Sequence, residues 1–228
     1  MKISGKVDND VTKLELLMTL PGGKVKRRKV SLLGAGVFAH AEYFCTKEKK
    51  GHYSVELMGE DGHGPVVLAL FPVACGSADH LRKVRVTMKK PTVDMAASKA
   101  AREAFDLVNA YRKKNKMKAY KWSVKLAAVA TAHSDEMCKF KSIYHLSPIT
   151  GAPDKRVKRA GIKTDLVAEN VAVASSPESI VSSWIMSEGH RLNMVLKDGV
   201  YGAVGVCKAS INKSIHYYAT LVVTGKIR

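Results

Sequence analysis

The sequence predicts an α+β protein of two regions: a small all-β, sandwich-like one over residues 1–90 and a mixed one over residues 99–228, with a linker at 91–98. Three observations carry that reading. Short apolar runs punctuated by glycine and proline fill the first region. Apolar stripes at helical spacing, with serine and proline at their starts, dominate the next stretch. Two strand-like runs then close the chain, and helices beside a small sheet make an α+β domain.

Taken in order, "VTKLELLMTL" is the first strand and "PGG" its turn. "KVKRRKV" (Lys24–Val30) is the densest basic cluster and fits one exposed strand or turn. "KVSLLGAGVFAHAEYFC" follows, then the charged turn "TKEKKG". "HYSVELMG" alternates Tyr53, Val55 and Leu57 on one face. "VVLALFPVAC" is a nearly continuous apolar run, the pattern of a strand buried on both sides, and "LRKVRVTM" is the last strand of the region. His40, His52, His63 and His80 are scattered here and fit turn and surface roles. Pro91 breaks the pattern, and Ser98 is the expected cap of a helix with Ala101, Ala104, Phe105, Val108 and Tyr111 on one face. A second helix is expected from Val124 to Phe140, with Leu126, Val129, Ala130, His133 and Met137 on one stripe. A short helix begins at Pro153 and stops at Gly161. A fourth begins after Ser176, where Ser-Pro-Glu supplies the cap, a first-turn proline and an acidic residue at the positive helix end.

The formal charge is +18. Residues 97–228 hold 22 basic and 10 acidic residues, so the second region carries most of it. Such a field attracts acidic glycans, anionic lipid and other polyanions. No basic run is interleaved with stacking aromatics, so no specific nucleic-acid motif is present. No run reaches the ~18 apolar residues of a membrane span. "MKISGKVDND" has no apolar core for a signal peptide, which leaves either a cytoplasmic protein or one whose targeting segment has been removed. Cysteines 45, 75, 138 and 207 lack zinc-finger spacing. Two fall in each half, which permits one disulfide per region in an oxidising compartment; four buried thiols are the alternative.

Side chains able to do chemistry concentrate between residues 133 and 190. His133 lies on an apolar stripe and reads as a core or cleft-wall histidine. His145 sits in a loop flanked by proline and glycine. Glu169 enters an apolar strand, where an unpaired carboxylate is costly and a histidine is its natural partner. His190 follows the tryptophan helix. Two histidines with a carboxylate are a common set around Zn2+, and a Glu–His pair is also a proton relay. A hydrogen-bonded network stapling loops to the core remains the third option. Ser134 can satisfy its hydroxyl on its own helix, and Cys138 has no evident activator, so covalent catalysis is weakly supported.

The ordered set "LVNAYR", "AHSDEM", "YHLSPITGAPDKRVKRAG", "AENVAVA", "SPESIVSSWIMSEGHRLNM", "YGAVGVC" and "HYYATLVV" resembles the CAP superfamily of cysteine-rich secretory, antigen 5 and pathogenesis-related proteins, in its bacterial branch, over residues 99–225. The resemblance implies an α–β–α sandwich with a cleft lined by His133, His145, Glu169, Glu188 and His190. It makes His145, Glu169 and His190 the catalytic candidates and His145 and His190 the metal ligands, with Zn2+ as the expected ion. Arg191 and Asn193 are expected to fix the loop by hydrogen bonds. It further implies a secreted or cell-envelope protein that binds a small ligand, lipid or envelope polymer. The alternatives are a metal-assisted hydrolase using the same cleft, and a basic binder of polyanions or anionic lipid surfaces. Whether the protein is an enzyme stays open at this point.

Overall fold

The computed structural model describes residues 1–7, 11–20, 24–43, 45, 50–61, 64–76, 96–211 and 214–228. It falls into two units, Met1–Thr87 with Ser187–Gly189, and Met88–Met186 with His190–Arg228. The expected strand "LRKVRVTM", most of the linker, and His63 and His80 lie outside the described residues.

The first unit holds two antiparallel sheets. Strands β1 (Lys2–Lys6), β4 (Leu32–Leu33) and β5 (Val37–Ala41) form one, in the order β1-β5-β4. Strands β2 (Lys13–Thr19), β3 (Val25–Val30), β6 (Gly51–Asp61) and β7 (Gly64–Cys75) form the other, in the order β3-β2-β6-β7. Leu14, Leu16 and Met18 of β2, Tyr53, Val55 and Leu57 of β6, and Phe38 of β5 form one buried core. β3 is an edge strand whose Arg27, Arg28 and Lys29 are exposed, a charge pattern that discourages pairing with another chain. β7 departs from expectation. It is the opposite edge rather than a strand buried on both sides, and Leu68 and Leu70 are exposed. A disulfide joins Cys45 to Cys75.

The second unit is an α–β–α sandwich. Strands β8 (Lys121–Trp122), β9 (Val167–Ala174), β10 (Tyr201–Ile211) and β11 (Ser214–Thr224) form its sheet, in the order β8-β10-β11-β9. β9, β11 and β10 are antiparallel in succession, and β8 adds to β10 in parallel. On one face lie α1 (Ala97–Lys114) and α4 (Pro177–Met186), packing Phe105, Val108, Ile180 and Trp184 on Val204, Val206, Leu221 and Val223. On the other lie α2 (Val124–Phe140) and α3 (Pro153–Arg159), packing Leu126, Ala130 and Val157 on Ala203 and Val222. Adjacent strand residues serve opposite cores because side chains alternate across a sheet.

α1 starts at Ala97 with Ala96 as its cap residue and no side-chain cap, so Ser98 lies inside the helix. α2 begins as expected, with Ser123 Oγ accepting from the Leu126 N–H. It lies flush on β10: a Cβ on Gly205 would overlap the backbone of Ala130 and Thr131. Ser134 does not satisfy itself on its own helix. Its hydroxyl donates to the Gly205 carbonyl at 3.0 Å and accepts from Thr220 Oγ1 at 2.9 Å, tying helix to sheet. A second disulfide, Cys138–Cys207, joins α2 to β10. The short α5 (Glu188–Met194) follows α4. The loop after α5 is held by the buried Arg112, which donates to the carbonyls of Lys118, Met194 and Leu196 and stacks 3.5 Å from the Tyr120 ring centroid.

Candidate functional site

The site grows out of the end of α2. Lys141 takes the left-handed conformation (φ 51°) and the Ser142 N–H reaches back to the Met137 carbonyl, which turns the chain into the loop bearing His145. Glu136 anchors that loop. Its carboxylate accepts from Tyr144 Oη at 3.0 Å, Ser147 Oγ at 2.5 Å and Thr150 Oγ1 at 3.1 Å. Burial pulls its pKa up, but the three hydroxyls, Ser147 foremost, outweigh that and hold it below the usual range. Ser147 and Gly151 exchange backbone hydrogen bonds, closing the turn.

Glu169, in β9, is the hub. Its Oε1 accepts from His145 Nδ1 at 2.9 Å and its Oε2 from Arg156 Nη2 at 2.5 Å. The side chains of Glu169 and Arg156 are only 2% and 5% exposed. Burial alone would raise the carboxyl's pKa; the bond from His145 and the charge of Arg156 more than offset this and lower it. Arg156 also donates through Nη1 to the carbonyls of His145 and Gly151, so one guanidinium neutralises the hub and fixes the loop beside it.

His133 is fully buried, its Nε2 donating to the Tyr144 carbonyl at 2.8 Å and lying 3.9 Å from Glu169 Oε1. Burial, the largest influence, pushes its pKa down and keeps the ring neutral. His190 is held by its backbone: its carbonyl accepts from Asn170 Nδ2 at 3.0 Å. Asn193 Nδ2 in turn donates to the Glu169 carbonyl and to Asn170 Oδ1. Burial, helped by the charge of His145, pulls the His190 pKa down to about 4.

The structure thus brings His133, His145 and Glu169 together, with His190 electrostatically coupled to His145. Glu188 opens α5 among the three residues grouped with the first unit. Asn193 fixes the loop as described, and Arg191 ties it to the Ile185 carbonyl. Sequence reasoning missed Arg156 and Glu136. Arg156 is one of four basic residues in "DKRVKR", and nothing local marks it as the buried one. The available signal was the demand for charge compensation at Glu169, which a histidine alone was asked to meet.

A family model described as the cysteine-rich secretory protein family, CAP, matches residues 105–223, more than half of the 228-residue chain. The chain belongs to this family. Among curated proteins, the CAP domain is 31% identical over 124 residues to the uncharacterized protein YkwD of Bacillus subtilis, covering 54% of this chain and 47% of that protein. It is 29% identical over 107 residues to the uncharacterized membrane protein YlbC of the same organism, covering 46% of this chain and 31% of that one. The chain therefore spans less than half the length of these relatives. Two solved structures are similar. An extracellular SCP-domain protein from Bacillus anthracis matches with a TM-score of 0.48 at 17% identity, covering 99% of this chain and 67% of that one. An outer surface protein from Borrelia burgdorferi matches with a TM-score of 0.49 at 16% identity, covering 58% of this chain and 97% of that one.

A divalent metal in this CAP domain would need free carboxylate or imidazole lone pairs converging on one point. Glu169 has both oxygens engaged, one by a guanidinium that repels a cation. Among the described residues no group of three or more His, Cys, Asp or Glu side chains is arranged to hold an ion. As arranged, Glu169 does not fit as a ligand of a resident metal.

Proposed function

We propose that this CAP domain is a binding module acting outside the cytoplasm, which takes up a small polar ligand or envelope component at the cleft carrying His145 and His190. The observation that carries the reading is the Arg156–Glu169–His145 chain. The carboxylate is spent on fixing the imidazole, so the group offered to a ligand is His145 Nε2. With Nδ1–H donated to Glu169, that nitrogen accepts a hydrogen bond from a ligand hydroxyl or amine when the ring is neutral and donates one when the ring is protonated. The neutral His190 adds a second polar, uncharged ring beside it.

Catalysis by a covalent route finds little to use. Ser134 is committed to Gly205 and Thr220, and Cys138 is in a disulfide. The hydrolase alternative, with Glu169 as base, meets a carboxylate whose oxygens are already bonded. Action outside the cytoplasm is supported by the two disulfides, which persist in oxidising compartments.

Native mass spectrometry of the chain after incubation with envelope extract tests this reading. A retained small molecule is expected in the parent and in neither His145→Ala nor His190→Ala, with circular dichroism unchanged. Equal retention by all three would sink it. A parallel Zn2+ titration separates the metal reading: heat seen in the parent and lost in both variants would support an ion at the two imidazoles instead.

A further inference from the structure

The loop that carries His145 has a second property that the cleft does not use. Ten consecutive residues present four exposed large apolar side chains: Phe140 at 47%, Ile143 at 44%, Leu146 at 47% and Ile149 at 65% exposure. Exposed apolar residues scattered singly need no explanation, but a concentration of this kind does. These side chains are not out in solvent because the loop is slack. The Glu136 carboxylate, the Ser147–Gly151 backbone pair and the Arg156 guanidinium hold the loop from within. The apolar tips are therefore presented by a fixed frame.

Their surroundings are basic. Lys139 and Lys141 are exposed on the same segment, with Lys139 Nζ 5.7 Å from the Phe140 ring centroid. Lys155, Lys158 and Arg159 are exposed on α3, which is joined to the segment by the bond from Arg159 to the Thr150 carbonyl. Acidic groups offset part of this: Asp135 is exposed one helical turn before Lys139. Glu136 is turned inward onto three hydroxyls, and Asp154 is paired with Lys155 at 3.7 Å.

We infer that the Phe140–Ile149 loop, with the lysines and arginine around it, docks this CAP domain on the surface of an anionic lipid bilayer. The combination chooses the partner. An acidic glycan satisfies the five cations and leaves four apolar side chains in water. A bilayer interface satisfies both, since headgroup phosphates meet the cations while the apolar tips enter the boundary of the acyl region. Lysine stems suit that depth, because their methylenes lie along apolar surface while the ammonium stays with the headgroups. A pre-ordered loop also loses little entropy on binding. The inference stands on residues other than His145, Glu169 and His190, so it survives or fails independently of the ligand proposed for the cleft.

The test is co-sedimentation of the full chain with phosphatidylglycerol/phosphatidylcholine vesicles and with pure phosphatidylcholine vesicles. The variants are Leu146→Ser with Ile149→Ser, and Lys155→Ala with Lys158→Ala, all at solvent-exposed positions and checked for fold by circular dichroism. Expected is binding to the anionic vesicles only. The double serine variant should weaken it at least tenfold, roughly the effect of two partly inserted aliphatic side chains. The lysine variant should weaken it about fivefold per charge removed. No binding to anionic vesicles by the parent overturns the inference. So does binding that the serine variant leaves intact, since attraction would then rest on charge alone and point to an acidic polymer.

Discussion

Removing Arg156 leaves the Glu169 carboxylate buried beside His145 with no guanidinium to offset it. Breaking one side of such a pair costs about 3–5 kcal/mol, much of it the penalty on the orphaned charge. Arg156→Met should accordingly lower the urea-unfolding free energy by that amount. Arg156→Met with Glu169→Gln should recover a substantial part, because no buried charge remains; additive losses would show that the two are not coupled. His190 gives a pH signature. Its pKa of about 4 in the fold lies below the ordinary 6.5, so between these values the unfolded chain binds a proton that the folded chain refuses. Its contribution is complete above pH 6.5 and is lost as pH falls toward 4, a swing of roughly 3 kcal/mol. Denaturation of the parent and of His190→Gln across that window should show the parent losing roughly that much more; parallel curves would exclude it. At this scale the sequence exposed Glu169, because a carboxylate in "LVAENVAVA" is anomalous by itself. It hid Arg156, because a basic residue in a basic helix is not anomalous and only the fold shows which one turns inward.

Elements were more legible than residues wherever their pattern reflects burial on one side. α2 runs over the expected residues because Leu126, Val129, Ala130, His133 and Met137 keep helical spacing. β7 misled for the same reason: twelve residues rich in valine and leucine look fully buried, and whether a neighbour covers the outer side is decided by topology. β1 was not anticipated, since "KISGK" has no alternation and exists by pairing with β5. The junction of α2 with β10 yields a prediction. Gly205 has no positive φ to explain it; its reason is that the α2 backbone passes where a Cβ would stand. Gly205→Ala should cost about 3 kcal/mol or more through displacement of the helix, read as a fall in thermal midpoint. A neutral outcome would mean that α2 shifts freely on the sheet.

For the whole molecule, the pattern of runs and turns gave the fold class, and the ordered CAP motifs gave the α–β–α sandwich. The cysteines left disulfides and thiols open, because pairing depends on distances that spacing does not encode. Cys138 and Cys207 are 69 residues apart, and closing a loop of that size stabilises by about 4 kcal/mol through the unfolded chain. Cys138→Ala with Cys207→Ala should destabilise the second unit by up to about that amount, with Cys45–Cys75 unaffected by thiol mapping. No change in stability would mean that the link is energetically idle.

The pairing order has its own consequence for how the protein is made. Four cysteines allow three connectivities, and here the first joins the second and the third joins the fourth. A chain emerging N-terminus first, from a ribosome or an export channel, presents Cys45 and Cys75 before Cys138 is out. Whenever the first bridge closes before Cys138 emerges, it forms without competition from Cys138 or Cys207, and those two are then left to pair with each other. Sequential emergence thus favours the pairing seen in the fold.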